Sequence, residues 1–520
     1  GTRVLIQVQI PRWRVSGWLG STSGAPLISR GAAPPWLRIT GNSVSVYNHT
    51  GLDTLTLATA QAVPLPGGTL DPLTIPKYVT PLVIPPVMKN TGKANDYDIA
   101  VRQFKQQILP GGIWNSLNGR ADAFPATKVW SYGPDADPLP DSTGLGGGAG
   151  IAPAPNSQFN YPAYTIENRS NETTTVDWIN QLVVDPVACK ATTDFAGDPN
   201  CGYIPHLLPI DRSLHWANPE QLRCIDPART KDCAPDPATN GLLLQQPYQG
   251  PVPMVVHVHG AHAGPERDGY PEAWWLPNAN NIPAGYATTG TLVNQSGMAM
   301  TNAPGRPGVG TFTYPNTQPS STVWYHDHAL GMTRNNVYAG PAGFWILRDP
   351  KARGGETGLV TGQLPGPAAV AGEGLATTNL PASRGGAREK YREIPIVILD
   401  RSFNADGSLF YPDNRAFFEG LQPDQLQIPF LGDATNSSDI APIWNPEAFF
   451  NTMVVNGVTW PTQEVAPALY RVRLLNRCNS RFLNLSLRPV DPASGKPISV
   501  KRTEWVTQKN GKLKAKTDDL

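Results

Sequence analysis

Five of the eight histidines in this chain fall into two short windows. The first window reads His257-Val-His259-Gly-Ala-His262, and the second contains His326-Asp-His328. Neutral imidazole is a ligand for copper, zinc, iron or nickel. Alternate side chains of a β-strand share one face, so each His-x-His pair would direct two imidazoles the same way. Two such pairs on neighbouring strands predict a single metal site, held by His257, His259, His326 and His328.

Two other interpretations of these windows need to be weighed. A lone His-x-His pair is more often two hydrogen-bonded histidines on a half-exposed strand, but two pairs at strand ends favour a metal. The first window also has the His-x-His-x-x-His spacing of zinc hydrolases of the metallo-β-lactamase type. Ala261 stands where those enzymes carry an aspartate ligand, so we expect His262 to lie outside the site. A zinc-dependent hydrolase is the weaker alternative.

We expect β-strands to carry these histidines. Proline (54) and glycine (50) make up about a fifth of the chain while 40% of it is apolar, which favours short strands joined by many turns. Strand-like alternation is clearest in the segments "TTTVDWINQLVV", "VPMVVHVH", "TVWYHDH", "AGFWILRD", "EIPIVILDRSF", "NTMVVNGVTW" and "YRVRLLN". The sequence therefore predicts an all-β protein with long Pro/Gly-rich loops.

Shifts in composition suggest how the chain is organised. Residues 1–60 form an N-terminal extension of unclear structure, and 61–350 form a first β domain with an insertion at about 185–250. The Gly/Ala/Pro-rich stretch 351–393 is typical of a linker or surface loop. We expect 394–520 to form a second β domain that is incomplete.

Charge and hydropathy exclude two classes of partner. Lysine plus arginine (42) nearly balance aspartate plus glutamate (41), so no net field attracts nucleic acid. The sequence has no run of eighteen apolar residues, so we expect no membrane span.

Four of the five cysteines lie in the insertion, and they bear on the compartment. Clustered cysteines are typical of one or two local disulfides, whose connectivity the sequence does not give. This predicts a secreted, periplasmic or cell-surface protein; the alternative is a cytosolic loop with free thiols. The four cysteines are Cys189, Cys201, Cys224 and Cys233.

With their neighbours included, the two windows resemble the first two copper-binding motifs of multicopper oxidases. The similar segments are "HVHGAHAGPERDGYPEAWW" and "WYHDHALGMTRNNVYAGPAGFWILRD". Further pieces follow in the family's order: "LDRSFNADGSLFYP" and "VVNGVTWPTQEVAPALYRVRLLNRCNSRFLNLSL". The resemblance is to the branch of spore-coat laccase, bilirubin oxidase and phenoxazinone synthase, and covers roughly residues 60–490.

This resemblance implies cupredoxin-like Greek-key β-sandwich domains and copper as the cofactor. It implies an oxidase that couples one-electron oxidation of phenols, aromatic amines or metal ions to the reduction of O2 to water. His257 would bind the type 2 copper, and His259, His326 and His328 would bind the paired type 3 coppers. Asp268 matches a family acid placed to relay protons, although a turn residue before a glycine is an equally good reading.

The family's remaining copper motifs have no match in this sequence. No histidine follows His328, and Cys478 stands in a strand-like segment where we expect a small core residue. The type 1 copper site is therefore expected outside this chain, and a C-terminal chain or fragment is expected to complete the copper sites. The other partners would be O2 and a small reducing substrate. A copper-binding or scaffold protein without turnover is the non-enzymatic alternative.

Overall fold

The computed structural model describes residues 4–9, 37–40, 43–48, 51–56, 69–83, 87–138, 157, 159–212, 214–240, 243–244, 246–293, 306–348, 393–412, 448–463, 471–489, 501–507 and 513–519. The chain divides into two compact units. The first comprises Gly1–Arg3, Thr69–Arg415 and Asp424–Phe482, and the second comprises Val4–Gly68, Ala416–Pro423 and Leu483–Leu520. Apart from its last residue, the predicted linker 351–393 lies outside the described residues.

The chain is built mainly from strands. In chain order they are β1 (Val4–Gln9), β2 (Leu37–Thr40), β3 (Ser43–Asn48), β4 (Gly51–Thr56), β5 (Asp96–Gln106), β6 (Thr127–Pro134), β7 (Ile166–Arg169), β8 (Thr174–Asn180), β9 (Val256–His259), β10 (Val309–Tyr314), β11 (Ser321–Asp327), β12 (Ala342–Arg348), β13 (Glu393–Phe403), β14 (Leu409–Phe410), β15 (Thr452–Val455), β16 (Val458–Thr459), β17 (Arg471–Asn476), β18 (Asn484–Pro489), β19 (Lys501–Thr507) and β20 (Leu513–Asp519). The helices are α1 (Ile113–Asn118), α2 (Pro186–Ala191), α3 (Pro237–Asn240) and α4 (Thr333–Ala339).

The first unit contains a sandwich of two four-stranded sheets, in the orders β10-β8-β5-β6 and β7-β12-β11-β9. Aromatic rings join the sheets: the ring centroid of Tyr325 lies 5.5 Å from Trp178 and 5.6 Å from Tyr132. Tyr314 and Trp345 make a second such contact at 4.9 Å. All five side chains are buried, and burying a large apolar side chain contributes roughly 1.5–3 kcal/mol.

The connections of the sandwich explain why the histidine strands become neighbours. The chain passes from one sheet to the other after β6, β7, β8, β9 and β10, so strands that pair are rarely consecutive. β9 and β11 pair directly although β10 separates them in sequence. Both histidine windows therefore lie in one sheet, on adjacent strands.

A five-stranded sheet of β13 to β17 completes the first unit, and a buried arginine joins it to the sandwich. Arg401 of β13 donates from Nε to the hydroxyl of Tyr161 at 2.5 Å, and its guanidinium lies 4.1 Å from the ring centroid of Tyr338. Tyr338 in turn donates to the carbonyl of Phe410 in β14. These contacts satisfy a cation that would otherwise be costly to bury.

The insertion at 185–250 lies between β8 and β9 and contains α2, α3 and isolated bridges, with no strand in its described part. Cys189 pairs with Cys201, and Cys224 pairs with Cys233, as expected for local disulfides. The side chain of Asp185 caps α2 by accepting from two backbone amides of its first turn.

The second unit has three small sheets: β1 paired with β18, the three strands in the order β2-β3-β4, and β19 paired with β20. All of these pairings are antiparallel.

The predicted all-β class and the sandwich are confirmed. β5 and β6 were not anticipated, because buried polar residues such as Arg102 and Gln106 interrupt the apolar alternation of β5. The domain boundaries stay a prediction. None of the helices in the described part of the chain has the length and apolar character needed to cross a bilayer.

Candidate metal centre

The four predicted ligands come together at one end of the β9 and β11 pair. The strands are antiparallel, and His257 lies directly opposite His326 in the register. Cross-strand partners point to the same face, and His259 shares that face because it is two residues from His257. His328 follows one residue after the end of β11.

The distances are those of a metal-binding group. One ring nitrogen from each of His257, His259 and His326 lies within 4.8 Å of the others, and Nδ1 of His259 is 3.4 Å from Nε2 of His326. The ring of His328 has its centroid 5.0 Å from that of His257 and 5.6 Å from that of His326. The four rings therefore form one cluster.

A turn after β9 orients His257. Nδ1 of His257 donates to the backbone carbonyl of Asp268, which leaves Nε2 unprotonated for a ligand. A carboxylate oxygen of Asp268 lies 3.4 Å from the same Nδ1, and this side chain is 40% exposed. Gly269 follows with a φ of 75°, and a Cβ there would stand 2.2 Å from the carbonyl oxygen of Val256, so the turn needs glycine. Asp268 thus occupies the turn and contacts a candidate ligand as well.

Desolvation favours the neutral form of three of the four imidazoles. Desolvation lowers the pKa of His326 to about 3 and that of His328 to about 4, with the neighbouring histidines adding to the effect. Desolvation, together with His257, also lowers the pKa of His259. Uncharged nitrogens at neutral pH are what a metal ion requires of its ligands.

Asp327 lies between the two histidines of β11 and points the opposite way, into the protein. Its carboxylate accepts hydrogen bonds from the backbone amides of Val255 and Ala329 and from Nδ2 of Asn336. The backbone amide of His328 donates to the carbonyl of Val255 at 2.8 Å. These bonds tie the end of β11 to the residue before β9. Burial of this carboxyl raises its pKa to about 7.

His262 does not join the cluster. Its side chain is exposed, and its backbone amide donates to Gln318, as we expected of a residue outside the site. The indole of Trp324 instead stacks beside two candidate ligands, 4.1 Å from the ring of His326 and 5.4 Å from that of His259.

Sequence reasoning missed three residues that support the cluster: Trp324, His206 and Asn336. Strand alternation places Trp324 on the ligand face, so that signal was present. His206 is distant in sequence, and nothing in its neighbourhood predicts that it accepts from Leu208 and contacts Asn336.

The donor set fits a transition-metal ion such as copper. Nδ1 of His326 donates to the backbone carbonyl of Asp327 at 2.7 Å, so Nε2 is left for the cluster, as in His257. Nδ1 of His328 is buried without a hydrogen-bond partner in the described part of the chain. An unpaired buried nitrogen is costly, and a coordinated metal would satisfy such a group. Imidazole donors suit copper well.

Comparison with known proteins identifies the relatives of this chain. The chain is 26% identical to a laccase of Bacillus subtilis over 419 residues, which cover 80% of this chain and 52% of that protein. It is 32% identical over 254 residues to the multicopper oxidase LPR1 homolog 1 of Oryza sativa, covering 49% of this chain and 31% of that protein. This chain resembles proteins named laccase and multicopper oxidase. It spans about half the length of the curated laccase that it matches.

No family model matches the sequence. Among solved structures, the McoA multicopper oxidase of Aquifex aeolicus is 14% identical, with 85% of this chain and 53% of that chain covered. The TM-score of this match is 0.37.

Proposed function

We propose that this chain is the N-terminal half of a laccase-like multicopper oxidase. The protein would couple one-electron oxidation of phenols, aromatic amines or metal ions to the reduction of O2 to water. The observation that carries the proposal is the cluster of four imidazoles on two adjacent strands, in a chain related to laccases. Bound copper would supply the one-electron chemistry and the binding of O2.

The four histidines would hold two classes of copper. By the resemblance, His257 is the type 2 ligand, and His259, His326 and His328 are type 3 ligands. Their register on paired strands supports this role, since a rigid sheet fixes ligands better than loops do. The turn at Asp268 and the carbonyl of Asp327 orient two of these rings through Nδ1.

Asp268 is the proposed proton relay. Its carboxylate lies beside His257 and is partly open to solvent, so it can take a proton from water and pass it toward reduced oxygen. The matching role in the family supports this assignment.

We propose that a C-terminal chain or fragment completes the copper sites. Four imidazoles are half of the ligand set implied by the family, and the type 1 ligands are not identified in this chain. Cys478 is a poor candidate, because its thiol donates to the carbonyl of Ile398 and no histidine stands near it in the sequence. The apolar side chains of Val472 and Leu474 on β17 are 36% and 50% exposed, which supports a further segment packing there.

We also propose a secreted, periplasmic or cell-surface location. The two disulfides of the insertion favour an oxidising compartment.

Metal analysis with oxygen uptake tests the function. We expect about three to four coppers per assembled protein, and consumption of O2 with a phenolic substrate. Copper without turnover in the assembled protein would favour a binding or scaffold role. Zinc in place of copper would favour a hydrolase, which the position of His262 outside the cluster makes the weaker candidate.

A further inference from the structure

A buried series of hydrogen bonds leads from the disulfide-bearing insertion to the histidine strands. It begins at His206, which lies five residues after Cys201 and is 7% exposed. Nδ1 of His206 accepts from the backbone amide of Leu208 at 2.9 Å, and Nε2 lies 2.8 Å from Oδ1 of Asn336. The accepting role of Nδ1 places the proton on Nε2, so His206 is the donor to Asn336.

Asn336 connects His206 to Asp327 through its side-chain amide. Its amide nitrogen donates to Oδ1 of Asp327 at 2.7 Å and to the carbonyl of Pro253 at 3.1 Å. With both donors used, Oδ1 of Asn336 must face His206, so the amide has one fitting orientation. Asn336 is fully buried, and water does not replace a missing partner there at low cost.

Asp327 is the last member of the series. Its other carboxylate oxygen accepts from the amide of Val255, the residue before β9, at 3.1 Å. Asp327 also stands between His326 and His328 in the chain. Its position therefore influences both histidine pairs: one by chain connection and the other through Val255.

We infer that His206 is a positioning residue for the copper ligands, acting through Asn336 and Asp327. The inference rests on the proposed function, since it assigns His206 to a copper site. In this role the insertion supplies the hydrogen-bond donor that fixes Asn336, and Asn336 fixes the carboxylate of Asp327. Groups that hydrogen-bond directly to a metal ligand change metal affinity by about 10- to 100-fold when they are removed, so we take the lower end for a residue that acts through two others.

Two amide variants separate the two hydrogen bonds of His206. In His206→Gln the amide nitrogen reaches the place of Nε2 and can still donate to Asn336. In His206→Asn the shorter amide can accept from Leu208, as Nδ1 does, but does not reach Asn336. A role in the site requires the donor to Asn336, whereas a role in holding the insertion requires the acceptor for Leu208.

A packing control is available in Trp130, whose ring meets the edge of the His206 imidazole at 4.5 Å between centroids. Trp130→Phe loosens the packing of His206 and leaves the hydrogen-bonded series intact. Copper affinity, the electron paramagnetic resonance spectrum of bound Cu(II) and the melting temperature are measured for the wild type and three variants in the assembled protein.

We expect His206→Asn to weaken copper binding by about 10-fold and to change the spectrum, while His206→Gln and Trp130→Phe stay within about 3-fold of the wild type. Equal copper binding by both amide variants, or a loss in Trp130→Phe as large as in His206→Asn, would overturn the inference and leave the proposed function standing. Failure of the wild type itself to bind copper would overturn the proposed function as well.

Discussion

The two histidine pairs lie on neighbouring strands, yet they differ in how the protein holds them. On β11, His326 is 4% exposed, and Asp327 anchors the pair through buried hydrogen bonds. On β9, His259 is exposed, and His257 depends on a surface turn at Asp268. Buried hydrogen bonds therefore hold the histidine pair on β11, whereas a surface turn holds His257 on β9.

This difference suggests that the two histidine pairs have different roles. Ligands fixed from inside are shielded from solvent, because their support is buried and hydrogen-bonded. The ligands on β9 lie next to water and to the carboxylate of Asp268, which can exchange protons. We therefore expect changes on β11 to affect metal binding most, and changes at Asp268 to affect proton delivery.

The largest effect is expected from the inner pair. His326→Ala removes a buried ligand, so we expect the loss of bound copper and of measurable oxygen uptake in the assembled protein. His262→Ala is the matched control, because His262 belongs to the same window as the β9 pair but is exposed outside the cluster. Equal damage from the two changes in copper content and oxygen uptake would contradict the ligand assignment.

A smaller effect is expected at Asp268. Asp268→Asn keeps the shape of the turn but removes the proton-carrying group, so we expect oxygen uptake to fall roughly 100-fold with copper content unchanged. Glu266→Gln changes a neighbouring acid that pairs with Arg267 and serves as the control. Loss of copper in Asp268→Asn would show that the residue supports the ligands and does not deliver protons.

Acid should destabilise the metal-free chain through His206. Burial lowers the pKa of His206 to about 4 from 6.5, so the unfolded state binds more protons between these values. The contribution of neutral His206 to the free energy of unfolding is fully present above pH 6.5. It is lost as the pH falls to about 4, and the total loss is about 3 kcal/mol. We expect His206→Gln to flatten that part of the curve of unfolding free energy against pH. An unchanged slope would show that His206 is not buried as a neutral imidazole.

The smallest effect is expected from the disulfides of the insertion. Replacing Cys189 and Cys201 by serine should lower the free energy of unfolding by about 2–3 kcal/mol, with a similar loss for Cys224 and Cys233, because both close short loops. Urea unfolding measures the loss, and peptide mapping without reductant should find both linked pairs. Four freely alkylated thiols in the native protein would contradict the pairing and the proposed compartment.

The sequence was informative where the spacing of residues determines which strand face they share. The His-x-His windows indicated strands and shared faces, and β9 and β11 indeed bring the four imidazoles together. It was uninformative where contacts are long in sequence. The bond from His206 to Asn336 spans 130 residues, and no local pattern marks either partner. β5 was missed for a related reason, since Arg102 is buried against Asp135 and Gln181, a pairing that only the fold reveals.

The central claim is that His257, His259, His326 and His328 bind copper jointly. Anomalous diffraction at the copper edge from crystals of the copper-loaded, assembled protein tests it directly. We expect copper peaks within bonding distance of nitrogens from both histidine pairs, with none at His262. Copper confined to one pair, or centred on His257, His259 and His262, would show that the four histidines do not form one copper site.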